Sequence, residues 1–285
     1  MDLEEFIKEA APLLDLQWRR FQRGGIKRKV ERRIVELGLP TFEDYLSRIK
    51  NDPEEKSYLS RILTVTITRF FRDKKAFDVL ENSILPSMVN RKGAGDFKIW
   101  SIGCANGEEP YSLSMLWKER IEEEFSQIRL TLLATDINET LLDRAREGKY
   151  KKSSLKEVPE EILQRFFKIE DGFYIIDRFI RESVEFKRHD IIHEEPFSGM
   201  EIIFCRNLAF TYFSKECQMS VLKKIAASLK KDGYLVIGWD ESLPLTYPTL
   251  FIPTFPTEKI YQKFSPKSLT PSLSPAITPF PSFLP

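Results

Sequence analysis

The sequence predicts a doubly wound α/β fold preceded by a small all-helical domain. Three observations carry that expectation. From Lys98 onward, short β-rich runs alternate with helical ones, the pattern of a mostly parallel sheet with helices on both faces. Up to about Asp73, apolar residues recur at helical spacing and strand-like alternation is scarce. The chain of 285 residues, 42% apolar and 31% charged, is long enough to bury a core for both parts.

In chain order, Val30, Ile34 and Leu37 fall on one helical face, as do Tyr58, Ile62 and Val65. Between them, Leu39-Pro40-Thr41 followed by Asp44 reads as a stop and a new start, with Thr41 as N-cap. A basic helix is expected over 18–33 within a helical domain spanning 1–75. The second domain, 76–264, opens with FKIWSIG, PYSLSMLWKER, RLTLLATDI and ETLLDRAREG. It continues through SVEFKRHDI, EIIFCRN, SKECQMSVLKKIAASLK and GYLVIGW. Between 151 and 181 the order breaks: Pro159 to Phe167 suits a helix, and FFKIEDGFYIID carries a hairpin-like Glu-Asp-Gly turn, so a small insertion is expected there. The Pro/Ser-rich tail, 265–285, has no periodicity and reads as a disordered tether.

Composition removes several function classes. A net charge of +1 gives no global field toward nucleic acid or anionic lipid. Cys104, Cys205 and Cys217 are odd in number and far apart, which suits reduced thiols, two of them at strand ends. The acidic start MDLEEFIKEA is no signal peptide and no apolar run reaches membrane-spanning length, so a cytoplasmic protein is expected. The only histidines, His189 and His193, stand in HDIIH without a further ligand cluster, and no metal site is expected.

The most informative stretch is WSIGCANGEEPYS. In open α/β sheets the first strand's turn is the usual ligand site, and phosphates there need bare N–H groups at a helix start. This turn instead places Glu108 and Glu109 at the helix entrance, with Pro110 suited to the first helical position. Two acids repel a pyrophosphate and favour a cationic ligand. S-adenosylmethionine, with an ammonium, a sulfonium and a ribose diol, fits. Asp136, closing the next strand in LLATDI, stands where such folds place a ribose-binding carboxylate. Taken singly, each motif is better explained as a helix cap; their joint spacing favours the ligand.

Several segments, in order, resemble the CheR-type chemoreceptor glutamate methyltransferases: TRFFRD, WSIGCANGEEPYS, ATDINETLLDRAREGKY, FCRN with the following YF, and DGYLVIGWDESL. The resemblance covers about residues 5–264. It implies the class I S-adenosylmethionine-dependent methyltransferase fold, a Rossmann-like doubly wound sheet. It implies that Thr66, Thr68 and Arg72 reach the cofactor from the interdomain link, Arg72 at the methionine carboxylate. Gly103 lies in the binding turn, Glu108 or Glu109 holds the amino end, and Asp136 holds the ribose. Asp190 or the backbone of Ile191 meets the adenine edge. Arg206, Asn207 and Leu208 flank the cofactor, and Tyr212 faces the transferring methyl, with Arg72 and Tyr212 as the catalytic pair. Three departures mark a divergent branch. Thr66 stands where the family commonly has Asn, RNLAFTYF is one residue longer than the usual motif, and GWDES replaces Gly-His-Ser-Glu.

Methyl transfer to a glutamate, already ionised near neutrality, needs no general base, which suits a chain without a Ser-His-Asp or Cys-His constellation. The products expected are a methyl ester and S-adenosylhomocysteine. The run WRRFQRGGIKRKVERR presents a positive face, with Arg28 and Arg32 as docking residues for an acidic helical protein, the cytoplasmic domain of a chemoreceptor, rather than nucleic acid. A solvated face without a partner explains the same run equally well. The enzyme is expected to be a monomer. Alternatives are transfer to another protein or a small carboxylate, and a non-catalytic scaffold that senses the cofactor.

Overall fold

The structure, a computed structural model, describes residues 1–18, 24–63, 68–244 and 247–265. Val65, Thr66, the run Arg19 to Arg23 and the tail from 266 onward lie outside the described residues. Four helices come first: α1 (Leu3–Leu13), α2 (Gly24–Glu36), α3 (Phe42–Asn51) and α4 (Pro53–Leu63). Asp2 and Glu5 close a capping box on α1, and Thr41 caps α3 by accepting from Asp44 N at 3.2 Å. Among the described residues the basic helix covers Gly24–Glu36 and so runs past the expected end at 33. Its Val30 and Ile34 point into the core, as their spacing requires.

On α4 the buried stripe is Glu55, Leu59 and Leu63, while Tyr58 and Ile62 are half-buried. Glu55 is thus a charged residue on the inward side of the helix. Arg33 of α2 forks onto it (Nε to Oε1 2.9 Å, Nη2 to Oε2 2.6 Å) and the Tyr45 hydroxyl of α3 donates to Oε1 at 2.8 Å. A buried carboxylate needs such partners.

Then come α5 (Lys74–Val79), a π-helical turn at Leu80–Ile84, α6 (Leu85–Lys92), β1 (Gly95–Ile102), α7 (Glu108–Arg120), β2 (Ile128–Asp136) and α8 (Glu139–Glu147). The insertion follows with β3 (Lys149–Tyr150), a 3₁₀ turn at Lys152–Leu155, α9 (Glu160–Phe166), β4 (Phe167–Glu170), β5 (Phe173–Ile176) and α10 (Arg178–Glu182). The last part holds β6 (Val184–Arg188), β7 (Met200–Cys205), α11 (Ala209–Tyr212), α12 (Lys215–Ser228), β8 (Leu229–Ile237), β9 (Phe251–Phe255) and β10 (Ile260–Lys263). In the insertion, β3, β5 and β4 form their own antiparallel sheet, and Asp171 and Gly172 turn the expected hairpin with positive φ at both central residues.

The main sheet has seven strands in the order β6-β2-β1-β7-β8-β10-β9, parallel from β6 to β8 and antiparallel at β10 and β9. The chain runs outward from β1 through β2 to β6, then returns to β7 on the other side of β1. That reversal opens a crevice at the carboxyl ends of β1 and β7. One face of the sheet packs against α5, α6 and α7 around Phe77, Leu80, Trp117 and Phe204. The other face carries α12, and its core runs without a break into α1–α4 through Phe6, Tyr45, Leu59, Tyr212 and Phe213. All three cysteines are free and buried, and burial raises each thiol, so they behave as small apolar side chains. No helix among the described residues is long and apolar enough to cross a membrane.

Candidate functional site

The site begins where β1 ends. Gly103 N and Cys104 N donate to Thr135 O at 2.7 and 2.9 Å, which turns the chain sharply toward β2. Gly103 has φ +71, and a Cβ there would come within 2.6 Å of Leu208 Cδ2, so only glycine fits the turn against that side chain. Gly107, at φ +87, caps α7, so Glu108 and Glu109 take the first two helical positions and Pro110 the third. Proline is tolerated there because the first four N–H groups of a helix have no partner within it.

Asp136 ends β2 inside this turn, accepting from Ala105 N (3.0 Å) and Asn138 N (2.9 Å). Burial raises its carboxyl, and the surrounding N–H donors pull it back only in part. Next to it, the backbone after β6 folds over Asp190, whose Oδ1 accepts from Ile192 N at 2.9 Å and whose Oδ2 faces His193 Nδ1 at 2.8 Å. His189 is packed edge-on against Trp100 and tilted against Phe197, with Nε2 at 3.0 Å from Glu195 O; the ring is buried and also lines the adjoining cleft.

A cleft of about 370 Å³ lies over these strand ends. Of the residues singled out in the sequence, Gly103, Asp136, Asp190, Ile191, Asn207, Leu208 and Tyr212 line it. Tyr212 is fixed from both sides: Gln17 N donates to its carbonyl at 2.7 Å, and Ser214 N donates to Asp15 O at 2.7 Å. Asn207 adopts φ +54 and is held by Glu241, which accepts from Asn207 N (2.8 Å), Gly238 N (2.6 Å) and Thr211 Oγ1 (2.6 Å). Burial raises the Glu241 carboxyl, while these donors and Arg206 favour its charge.

Arg206, Glu109 and the backbone of Arg72 form a second cluster at the first turn of α7, while Thr66 lies outside the described residues. Arg206 is nearly buried and donates to Glu109 Oε2 (3.0 Å), Asp73 Oδ2 (2.5 Å) and the carbonyl of Arg72 (2.8 Å). It braces the link carrying Thr68 and Arg72, and it takes the Asp73 carboxylate that would otherwise suit Arg72. Glu109 is further satisfied by Ser101 Oγ at 2.8 Å.

Glu108 differs. It is 2% exposed, Oε1 has only a long contact from Ser154 Oγ (3.4 Å), and Oε2 has no donor among the described residues. Burial lifts its carboxyl to about 7. Asn106 Oδ1, two residues earlier, also lacks a donor. A buried acid and a buried amide oxygen, both without donors, fit an ammonium group and disfavour a phosphate. Arg28 and Arg32 lie apart from both clusters, exposed on α2.

The cleft's outer wall is the feature that sequence reasoning missed. Lys56, Ser57, Ser60 and Arg61 of α4 line it together with Asp136 and Asp190. Their spacing, i, i+1, i+4 and i+5, is one polar helical face, a signal visible in the sequence but indistinguishable there from a solvated one.

The family described as CheR methyltransferase, SAM binding domain, matches residues 66–260. A protein named chemotaxis protein methyltransferase from Borreliella burgdorferi is 31% identical over 226 residues, covering 75% of this chain and 80% of that protein. Another of the same name from Listeria monocytogenes is 31% identical over 219 residues, covering 76% and 81%. An uncharacterized 104.1 kDa protein of Rhodobacter capsulatus is 31% identical over 224 residues, which are 78% of this chain but only 23% of that longer protein.

Proposed function

The chain belongs to the CheR methyltransferase family and binds S-adenosylmethionine, and from that premise we propose that it methylates glutamate side-chain carboxylates of a protein, a chemoreceptor in chemotaxis signalling. The observation that supports the cofactor's placement is the orphaned, buried Glu108 carboxylate, which does not itself line the cleft but follows closely on Gly103 and Ala105, which do. The printed names of the Borreliella and Listeria relatives support the chemotaxis role.

When bound, S-adenosylmethionine supplies an electrophilic methyl on a sulfonium. In this reading Glu108 holds the amino end and Arg72 the carboxylate, with Thr68 beside it. Asp136 accepts from the ribose hydroxyls, Asp190 and the Ile191 backbone meet the adenine edge, and Asn207 and Leu208 close the far flank. Glu109 and Arg206, satisfied by each other, keep the link and the α7 turn in register. Ile191, Leu208 and Tyr212 exclude water where the acceptor enters, and Tyr212 faces the methyl. A glutamate with a reference pKa of about 4.3 arrives ionised, so positioning is sufficient and no base is required. The exposed Arg28 and Arg32 of α2 favour an acidic acceptor surface; Arg32 is near Glu36 at 3.5 Å, a weak exposed pair that a stronger partner displaces.

The test is incubation with methyl-labelled S-adenosylmethionine and the cytoplasmic domain of a chemoreceptor, scored for label released as methanol by mild base. Base-labile label is expected, with a raised KM for the protein and unchanged cofactor affinity when Arg28 and Arg32 are both changed to Glu. Base-stable label would move the acceptor from carboxylate to another group.

A further inference from the structure

Lys224 projects from α12 toward the cleft without lining it. Its neighbours Val221, Leu222 and Ile225 are buried against the sheet, so the stem of the lysine starts from a fixed point. Its ammonium donates to Ile191 O (3.1 Å), Ile192 O (2.8 Å) and Glu194 O (2.8 Å). An ammonium has three N–H donors, and here all three are spent on one short loop. The same loop, Asp190 to His193, forms one end of the cleft.

Three main-chain carbonyls that converge on one point repel each other unless a cation sits between them. The loop's own bonds, Glu194 N to Asp190 O (2.8 Å) and Ile192 N to Asp190 Oδ1 (2.9 Å), satisfy N–H groups and leave those carbonyls unanswered. Of the other charged groups on the loop, Glu194 is engaged by Arg188 at 2.8 Å and Asp190 by His193. Lys224 therefore supplies what the loop lacks, and it does so from a different element.

We propose that Lys224 is a positioning residue for cofactor recognition: by gathering these three carbonyls it shapes the loop that receives the nucleobase end of S-adenosylmethionine. The proposal rests on the reading that Asp190 and Ile191 meet the adenine edge. It predicts an effect on binding of the nucleoside part and none on the chemistry.

The experiment is calorimetric titration of the full chain and its Lys224→Met, Lys224→Arg and Asp190→Ala variants with S-adenosylhomocysteine and with 5′-methylthioadenosine, which keeps the nucleoside and lacks the amino acid. Lys224→Met is expected to raise both dissociation constants in parallel, by about tenfold for the lost charge-assisted bonds. Lys224→Arg should restore most of the affinity, and kcat at saturating cofactor should stay unchanged. Wild-type constants in Lys224→Met alongside weakened binding in Asp190→Ala would overturn the role of Lys224. Wild-type constants in both variants would instead remove the nucleobase from this end of the cleft. If Lys224→Met does not fold, Lys224→Gln, which keeps an N–H donor group, decides: intermediate constants support the proposal and wild-type constants overturn it.

Discussion

Glu108 and Glu109 are adjacent in sequence and equivalent by any local rule, yet they differ in every physical respect. Glu109 is neutralised by Arg206, 97 positions away, and Glu108 is left buried without a donor on Oε2. That distinction rests on a long-range contact that no spacing in the sequence reveals; the acidic helix entrance was legible, the different surroundings of its two acids were not. A pH dependence follows. The folded carboxyl of Glu108 titrates near 7, above its usual 4.5, so the fold favours its protonated form. Without a ligand, Glu108 costs stability progressively as pH rises from about 4.5 to about 7. A bound ammonium favours the ionised form, so cofactor affinity should rise over the same window, by up to about tenfold per pH unit, and level off above it. Titration calorimetry at several pH values should show this rise in the wild type and a flat profile over that window in Glu108→Gln. At the other flank, Glu241→Ala removes the acceptor of Asn207 N, Gly238 N and Thr211 Oγ1. Denaturant unfolding should report a loss of about 1–3 kcal/mol, with weaker cofactor binding as Asn207 is released. The sequence contained Glu241 within GWDES, but the segment drew notice for its missing histidine; the glutamate's service to a backbone 34 residues away was invisible.

Among the elements, the helical spacing of Tyr58 and Ile62 holds in α4, where both are half-buried, while the fully buried side is Glu55, Leu59 and Leu63. A charged residue can occupy a core position when a fork such as Arg33 and a hydroxyl such as Tyr45 answer it, and periodicity has no means of anticipating that. The same helix lines the cleft with Lys56, Ser57, Ser60 and Arg61. It also ties the basic helix α2 to the cleft wall, because Arg33 lies between Glu55 and the Tyr58 ring at 4.0 Å. Arg33→Ala should destabilise the protein by about 3–5 kcal/mol, because it strands a buried carboxylate, and should loosen cofactor binding through α4. A loss below about 1 kcal/mol by denaturant unfolding would mean that Glu55 finds water or another partner.

At the scale of the whole molecule, the alternation of strand and helix runs made the parallel sheet readable, and the hairpin turn at Asp171-Gly172 made the insertion readable. The join between the helical segment and the sheet was not. Its contacts are non-local, as in the bridge between Leu16 and Phe213 and the unbroken apolar core from Phe6 through Leu59 to Tyr212. Such continuity predicts that α1–α4 and the sheet unfold in one transition, coincident by tryptophan fluorescence and circular dichroism, rather than as two separable steps. It also means that the cleft takes its lining from both parts, Gly103 and Asp136 from the sheet and Ser57 and Ser60 from α4. The most direct test of that arrangement is calorimetric titration of S-adenosylmethionine into the wild type and Asp136→Ala. Saturable binding by the wild type, weakened by about 1–3 kcal/mol in the variant, is the expected result. Equal affinity in both proteins would contradict the placement of the cofactor over the end of β2.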